Sequence, residues 1–223
     1  MADQPVSSSD AEVTAPVTRQ KHASAPADTY GRDVRELNDP RAMRALAHPV
    51  RLALLEVLAL EGPLTATKAA ELLDESPGNM SWHLQTLAKY GFVAEAGGGI
   101  GRARPWKLVN LEQRFRVDDS TAPETKQAAG ALAELFQRRV FQNLRDWDAQ
   151  RSSYPLEWQQ AAFSVHALTY LTPAEMDEVK DAVLEAVGRF HDRLTDPGSR
   201  PADALPVGIS TFGNPLPMPR PSD

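Results

Sequence analysis

A mainly α-helical chain with a small β component is what this sequence predicts, and three observations carry that reading. Apolar residues recur three and four apart from Met43 to Leu87, and again from Leu132 to Trp147 and Met176 to Leu194. A proline, often behind a capping side chain, heads most of these runs. Two extended runs, 92–96 and 102–109, flank the glycine cluster 97–101, which is the pattern of a β-hairpin.

Taken in order, residues 1–36 are rich in Ala, Ser, Pro, Thr and Asp without an apolar period, so a disordered tail is expected. Asn38 or Asp39 can cap a first helix with Pro40 at its first position. His48-Pro49 breaks it and opens a second, carrying Leu52, Leu55 and Leu58. Gly62-Pro63 ends that helix. Thr65 or Thr67 caps a third, with Ala69, Ala70, Leu72 and Leu73. The short turn Asp74-Glu75 leads to Ser76–Phe92, where Ser76 is the expected N-cap. Met80, Leu84 and Leu87 share one face of this helix, and Gly91 suits its left-handed end. Two short helices joined by a tight turn make a helix-turn-helix. The hairpin behind them makes its wing, giving a winged helix-turn-helix domain over 37–110.

The positions off the apolar face suggest what this domain touches. Asn79 and Gln85 are residue types that bond adenine bidentately in the major groove, and Ser81 can bond bases or phosphates. Trp82 can press on sugars and methyl groups. Arg102 and Arg104, beside the hairpin tip, can reach a phosphate or a narrow minor groove. The competing reading is an amphipathic helix and a hairpin that merely face water. Net charge is −6, but its distribution favours double-stranded DNA as partner. Residues 38–110 hold eight Lys and Arg against seven Asp and Glu, whereas 111–196 hold ten against fifteen. Within 76–107, Lys89, Arg102, Arg104 and Lys107 face only Glu95.

The segments LAHPVRLALLEVL, SWHLQTLAKYGFV and GRARPWKL, in that order, resemble the ArsR-like family of winged helix-turn-helix transcriptional regulators. The resemblance covers about Leu37 to Asn110. It implies that Ser81-Trp82-His83-Leu84 lies in the major groove, and that the protein is a homodimeric repressor which leaves DNA when an effector binds.

Other features narrow the field. With no cysteine, thiolate metal sensing and disulfides are excluded. The five histidines, His22, His48, His83, His166 and His191, contain no pair at helical metal-site spacing, so no metal or other cofactor is expected. No apolar run reaches membrane-span length and the N-terminus lacks a signal-peptide core, so a cytoplasmic protein without membrane contact is expected. No P-loop, Gly-x-Ser-x-Gly or zinc-type His pair is present, and the glycine cluster is better explained by a hairpin than by a nucleotide site, so no enzyme is expected. A winged helix serving only as a protein-interaction module, without DNA binding, is the alternative function.

Residues 111–123 read as a linker, and 124–212 as a C-terminal dimerisation and effector region. Within it, 124–148 is a helix with the stripe Leu132, Leu135, Phe136, Val140, Leu144 and Trp147, the expected dimerisation segment. Phe163, Val165, Ala167, Thr169 and Leu171 alternate, giving a strand over 162–171, with a helix as the alternative. Thr172-Pro173-Ala174-Glu175 is a capping box opening a helix to about Leu194. Leu205, Val207 and Ile209 suggest another strand. The sum is a small α+β C-terminal domain, which a small-molecule effector could occupy, and then a Pro-rich tail over 213–223.

Overall fold

The computed structural model describes residues 34–97 and 104–217. Four helices build the N-terminal domain: α1 (Pro40–Leu46), α2 (Pro49–Glu61), α3 (Ala66–Leu73) and α4 (Pro77–Lys89). Each begins where a side chain satisfies a first-turn amide. Asp39 accepts from the Arg41 N–H at 2.8 Å, and Thr65 Oγ1 from Lys68 at 3.2 Å. Ser76 Oγ accepts from Asn79 at 3.2 Å. His48 does the same for α2, its Nδ1 accepting from the Val50 N–H at 3.3 Å.

β2 (Val93–Glu95) runs antiparallel to β3 (Trp106–Leu108), with Val93 opposite Leu108 and Glu95 opposite Trp106. Leu64 bonds Trp106 in both directions, at 3.0 and 2.7 Å, which ties the hairpin to the α2–α3 turn. The expected hairpin tip, Arg102 included, lies outside the described residues.

Two expectations at the domain edges need correction. Val34–Glu36, placed in the tail by sequence, forms strand β1, and Glu112–Arg114, placed in the linker, forms β4. They pair in parallel, Val34 against Glu112 and Glu36 against Arg114. Three-residue strands 78 positions apart leave no period to read; tertiary contact creates them. Arg35 stands over the Phe92 ring at 4.6 Å. It also lies 3.5 Å from where a Cβ on Gly91 would sit, and Gly91 has φ +73°. The backbone conformation favours glycine there, while a Cβ would meet Arg35 only at ordinary contact distance.

The core joins Leu37, Met43, Leu54, Leu58, Met80, Leu84, Leu87 and Phe92, all buried. Ala128, Ala129 and Leu132 belong to the same core. They come from the first part of α5 (Pro123–Gln150), a 28-residue helix. Arg139 fixes α5 to α2, with Nε and Nη2 donating to the Glu56 carboxylate at 3.0 and 2.6 Å. Past that point Phe141 and Leu144 are exposed, as is Phe136 one turn before it.

The rest of the chain holds α6 (Leu156–Ala161), α7 (Pro173–Gly188) and α8 (Asp192–Thr195). The Thr172–Glu175 capping box forms in both directions. The helix it opens stops at Gly188, short of Leu194. Phe190 and His191 there take i−3 bonds to Val187 and Gly188, a tightened turn at a residue of poor helix propensity. Residues 162–171 form neither strand nor helix, and 205–209 form no strand. The expected α+β domain is therefore corrected to helices and irregular chain among the described residues. Alternation supplies strand propensity only; without a neighbour to complete a ladder, no strand exists. No helix among the described residues is long and apolar enough to cross a membrane.

Candidate nucleic-acid interface

The outer face of α4 is set by the turn before it. Asp74 takes a left-handed conformation at φ 52°, uncommon for a residue with a side chain, and turns the chain from α3 into α4. Met80, Leu84 and Leu87 then face the core, and Ser81 and Gln85 fall on the outer side.

A crevice of about 200 Å³ runs between the start of α3, this side of α4 and the hairpin. Thr65, Thr67, Ser81, Gln85, Glu95 and Arg104 line it. Three expected contact residues, Ser81, Gln85 and Arg104, thus meet at one place. The Gln85 amide sits 3.5 Å from Ser81 Oγ, a weak bond that leaves its hydrogen-bonding groups open to a partner. Arg104 donates from Nη1 to Glu95 Oε2 at 2.7 Å, so the guanidinium is held over the crevice by a carboxylate of its own hairpin.

Asn79 and Trp82 are not lining residues of that crevice. Asn79 Nδ2 donates to Glu75 Oε2 at 2.8 Å, leaving its carbonyl as the open group. Trp82 is 56% exposed, the largest apolar surface on α4, and meets the His83 ring edge-on at 4.8 Å. The Thr86 hydroxyl donates to the Trp82 carbonyl at 2.9 Å.

Sequence reading missed the layer beneath. His83 is buried at 2% exposure, its ring 4.7 Å from that of His48, with Arg51 also buried beside them. A signal for this existed: position 83 continues the 80, 84, 87 stripe. His83 Nδ1 and Arg51 Nε lack hydrogen-bond partners among the described residues. Burial pushes both histidines below their ordinary pKa. Arg51 adds to this in each, His48 adds to it in His83, and Glu75 opposes it. Both shifts favour the neutral ring, which the His48 cap requires, since only an unprotonated Nδ1 accepts a bond. Burial also lowers the Arg51 pKa. No cluster of three His, Asp or Glu side chains suited to a metal occurs among the described residues.

No curated protein matches the chain. A family model described as "Helix-turn-helix domain" matches residues 46–96, from the end of α1 through β2. This span contains α2, α3 and α4 whole, together with Ser81, Trp82, Gln85 and the buried histidine pair. Residues 46–96 are a helix-turn-helix domain, and that match supports a DNA-binding transcription regulator.

Proposed function

We propose that this protein is a sequence-specific, homodimeric repressor of the ArsR-like kind, acting in the cytoplasm, with DNA release controlled through its C-terminal half. One observation carries the reading: Ser81, Gln85 and Arg104 converge on one crevice, beside an exposed Trp82, on the outer face of a helix-turn-helix. α4 enters the major groove, Gln85 and the Asn79 carbonyl read base edges, and Ser81 and Trp82 contact the backbone. The β2–β3 hairpin is the wing, and Arg104 with Arg102 holds the flanking phosphates. Two subunits meet successive half-sites about one helical turn apart. A small-molecule effector acts by favouring a subunit spacing that the operator does not fit, which requires different affinity for the two states. Catalysis and a cofactor form no part of this reading.

Fluorescence anisotropy tests it, with the purified protein titrated on the duplex upstream of its own gene and on a scrambled duplex at several salt concentrations. Selective binding that weakens steeply with salt is expected, because each phosphate contact releases counterions. Absence of binding to any duplex at low salt overturns it and moves the assignment to a protein-interaction module.

A further inference from the structure

We propose that residues 163–171 pair edge to edge with the same residues of a second copy of this chain, forming an antiparallel two-stranded seam. The proposal rests on the homodimer reading above and deepens it by assigning the surface that joins the copies.

The backbone makes the first case. Between Ala162 and Thr172, both extended, no backbone hydrogen bond involves residues 163–171 among the described residues. All nine are exposed. A run of unpaired N–H and C=O groups in extended chain is a template for another strand.

Side chains make the second. Phe163 is 74% exposed, Val165 77%, Leu168 68% and Tyr170 94%. These are strand-favouring or large apolar types left in water. On a strand Phe163 and Val165 lie on one face and Leu168 and Tyr170 on the other, so both faces of a paired run carry apolar side chains. Large apolar side chains exposed together in one run commonly mark an association surface.

Charge selects the occupant. From Ala161 to Thr172 there is no Lys, Arg, Asp or Glu. Nothing in the run attracts phosphate or an oppositely charged protein, and nothing repels an identical copy. Like charges directly opposite are what usually destabilise a self-paired strand, and here they are absent. An antiparallel pair centred on Ala167 places Phe163 opposite Leu171 and Val165 opposite Thr169. The alternating face is then continuous across the two-fold axis, as an isologous interface requires.

The 223-residue sequence has no cysteine, so Ala167→Cys gives an unambiguous test. At the centre of an antiparallel pair the two residues 167 face each other at about 4.5–5.5 Å between Cα atoms, within disulfide reach. Mild oxidation should yield a covalent dimer, while Ser120→Cys at an exposed turn before α5 should not. In a second variant, Val165→Asp with Tyr170→Asp, dimer dissociation should rise about 100-fold. Its far-UV circular dichroism should match the parent, because neither side chain is packed in the core of the subunit. Alternate amides within 163–171, those facing the partner strand, should exchange slowly in the dimer. A chain that sediments as a monomer at every concentration overturns both this seam and the homodimer reading. A dimer that neither cross-links through residue 167 nor responds to the aspartates overturns the seam alone. So does a dimer in which every amide of 163–171 exchanges as fast as in an unstructured peptide.

Discussion

Replacing Glu95 by Gln should tighten DNA binding, and by an amount that the wing geometry bounds. Glu95 holds Arg104 at 2.7 Å, with 45% and 63% of the two side chains exposed. To reach a phosphate, the guanidinium must share or surrender that carboxylate. An exposed ion pair of this kind is worth about 0–1 kcal/mol. Releasing it therefore gains up to roughly fivefold per subunit, and about 25-fold for two subunits on one operator, at 1.4 kcal/mol per tenfold. Arg104→Ala should do the reverse and reduce the salt slope by about 0.9 for each phosphate that is no longer neutralised. The decisive assay is the double-mutant cycle, read by anisotropy at several salt concentrations. In the Arg104→Ala background, Glu95→Gln should change affinity little, because the competitor no longer has anything to hold. If the full gain persists without Arg104, Glu95 acts only as a general negative charge and the competition argument is wrong.

Three further outcomes follow from the same geometry. Gln85→Ala should leave the melting temperature unchanged but relax sequence preference at one base pair per half-site, by about 1–3 kcal/mol; an identical operator profile by selection and sequencing counts against base reading there. Both buried histidines have pKa values below the unfolded value, so the unfolded state binds protons first on acidification. The stability they supply is complete above about pH 6.5 and is lost as pH falls below it toward their lowered folded values. Urea midpoints should decline over that range in the parent and less in His83→Leu; a parent curve flat down to about pH 5 refutes the buried-pair account. Leu84→Ala, at a fully buried site beneath the reading face, should cost about 2–5 kcal/mol in urea unfolding.

Local chemistry was the legible part of this chain. Asp39, Thr65, Ser76 and Thr172 act as caps where side-chain type and position point to them, because a cap needs only residues within one turn. The stripe Met80, Leu84 and Leu87 and the convergence of Ser81 with Gln85 follow from the 3.6-residue period. What could not be read depends on distant partners. β1 and β4 exist through each other, and the Arg104–Glu95 pair exists through hairpin register. His83 was readable as a position but not as a polarity: a histidine on an apolar stripe resolves into a buried neutral ring only once His48 and Arg51 are placed beside it. The alternation at 163–171 was legible as propensity, while its ladder within one chain is absent among the described residues.

α5 has mechanical consequences for the whole molecule. Its 28 residues make a rod of about 42 Å. Ala128, Ala129 and Leu132 near its start are cemented into the same core as α4, and Arg139 clamps it once more to α2. The remaining stretch, from Val140 to Gln150, continues the same helix, so only helical backbone lies between it and the reading head. A tilt of about 5° at the buried end swings the far end of the rod by roughly 3 Å, and the relation runs equally in reverse. The unit that folds together is thus larger than the segment that touches DNA. A graft of residues 46–96 onto another protein would leave behind both the wall of its core and the handle by which it can be turned.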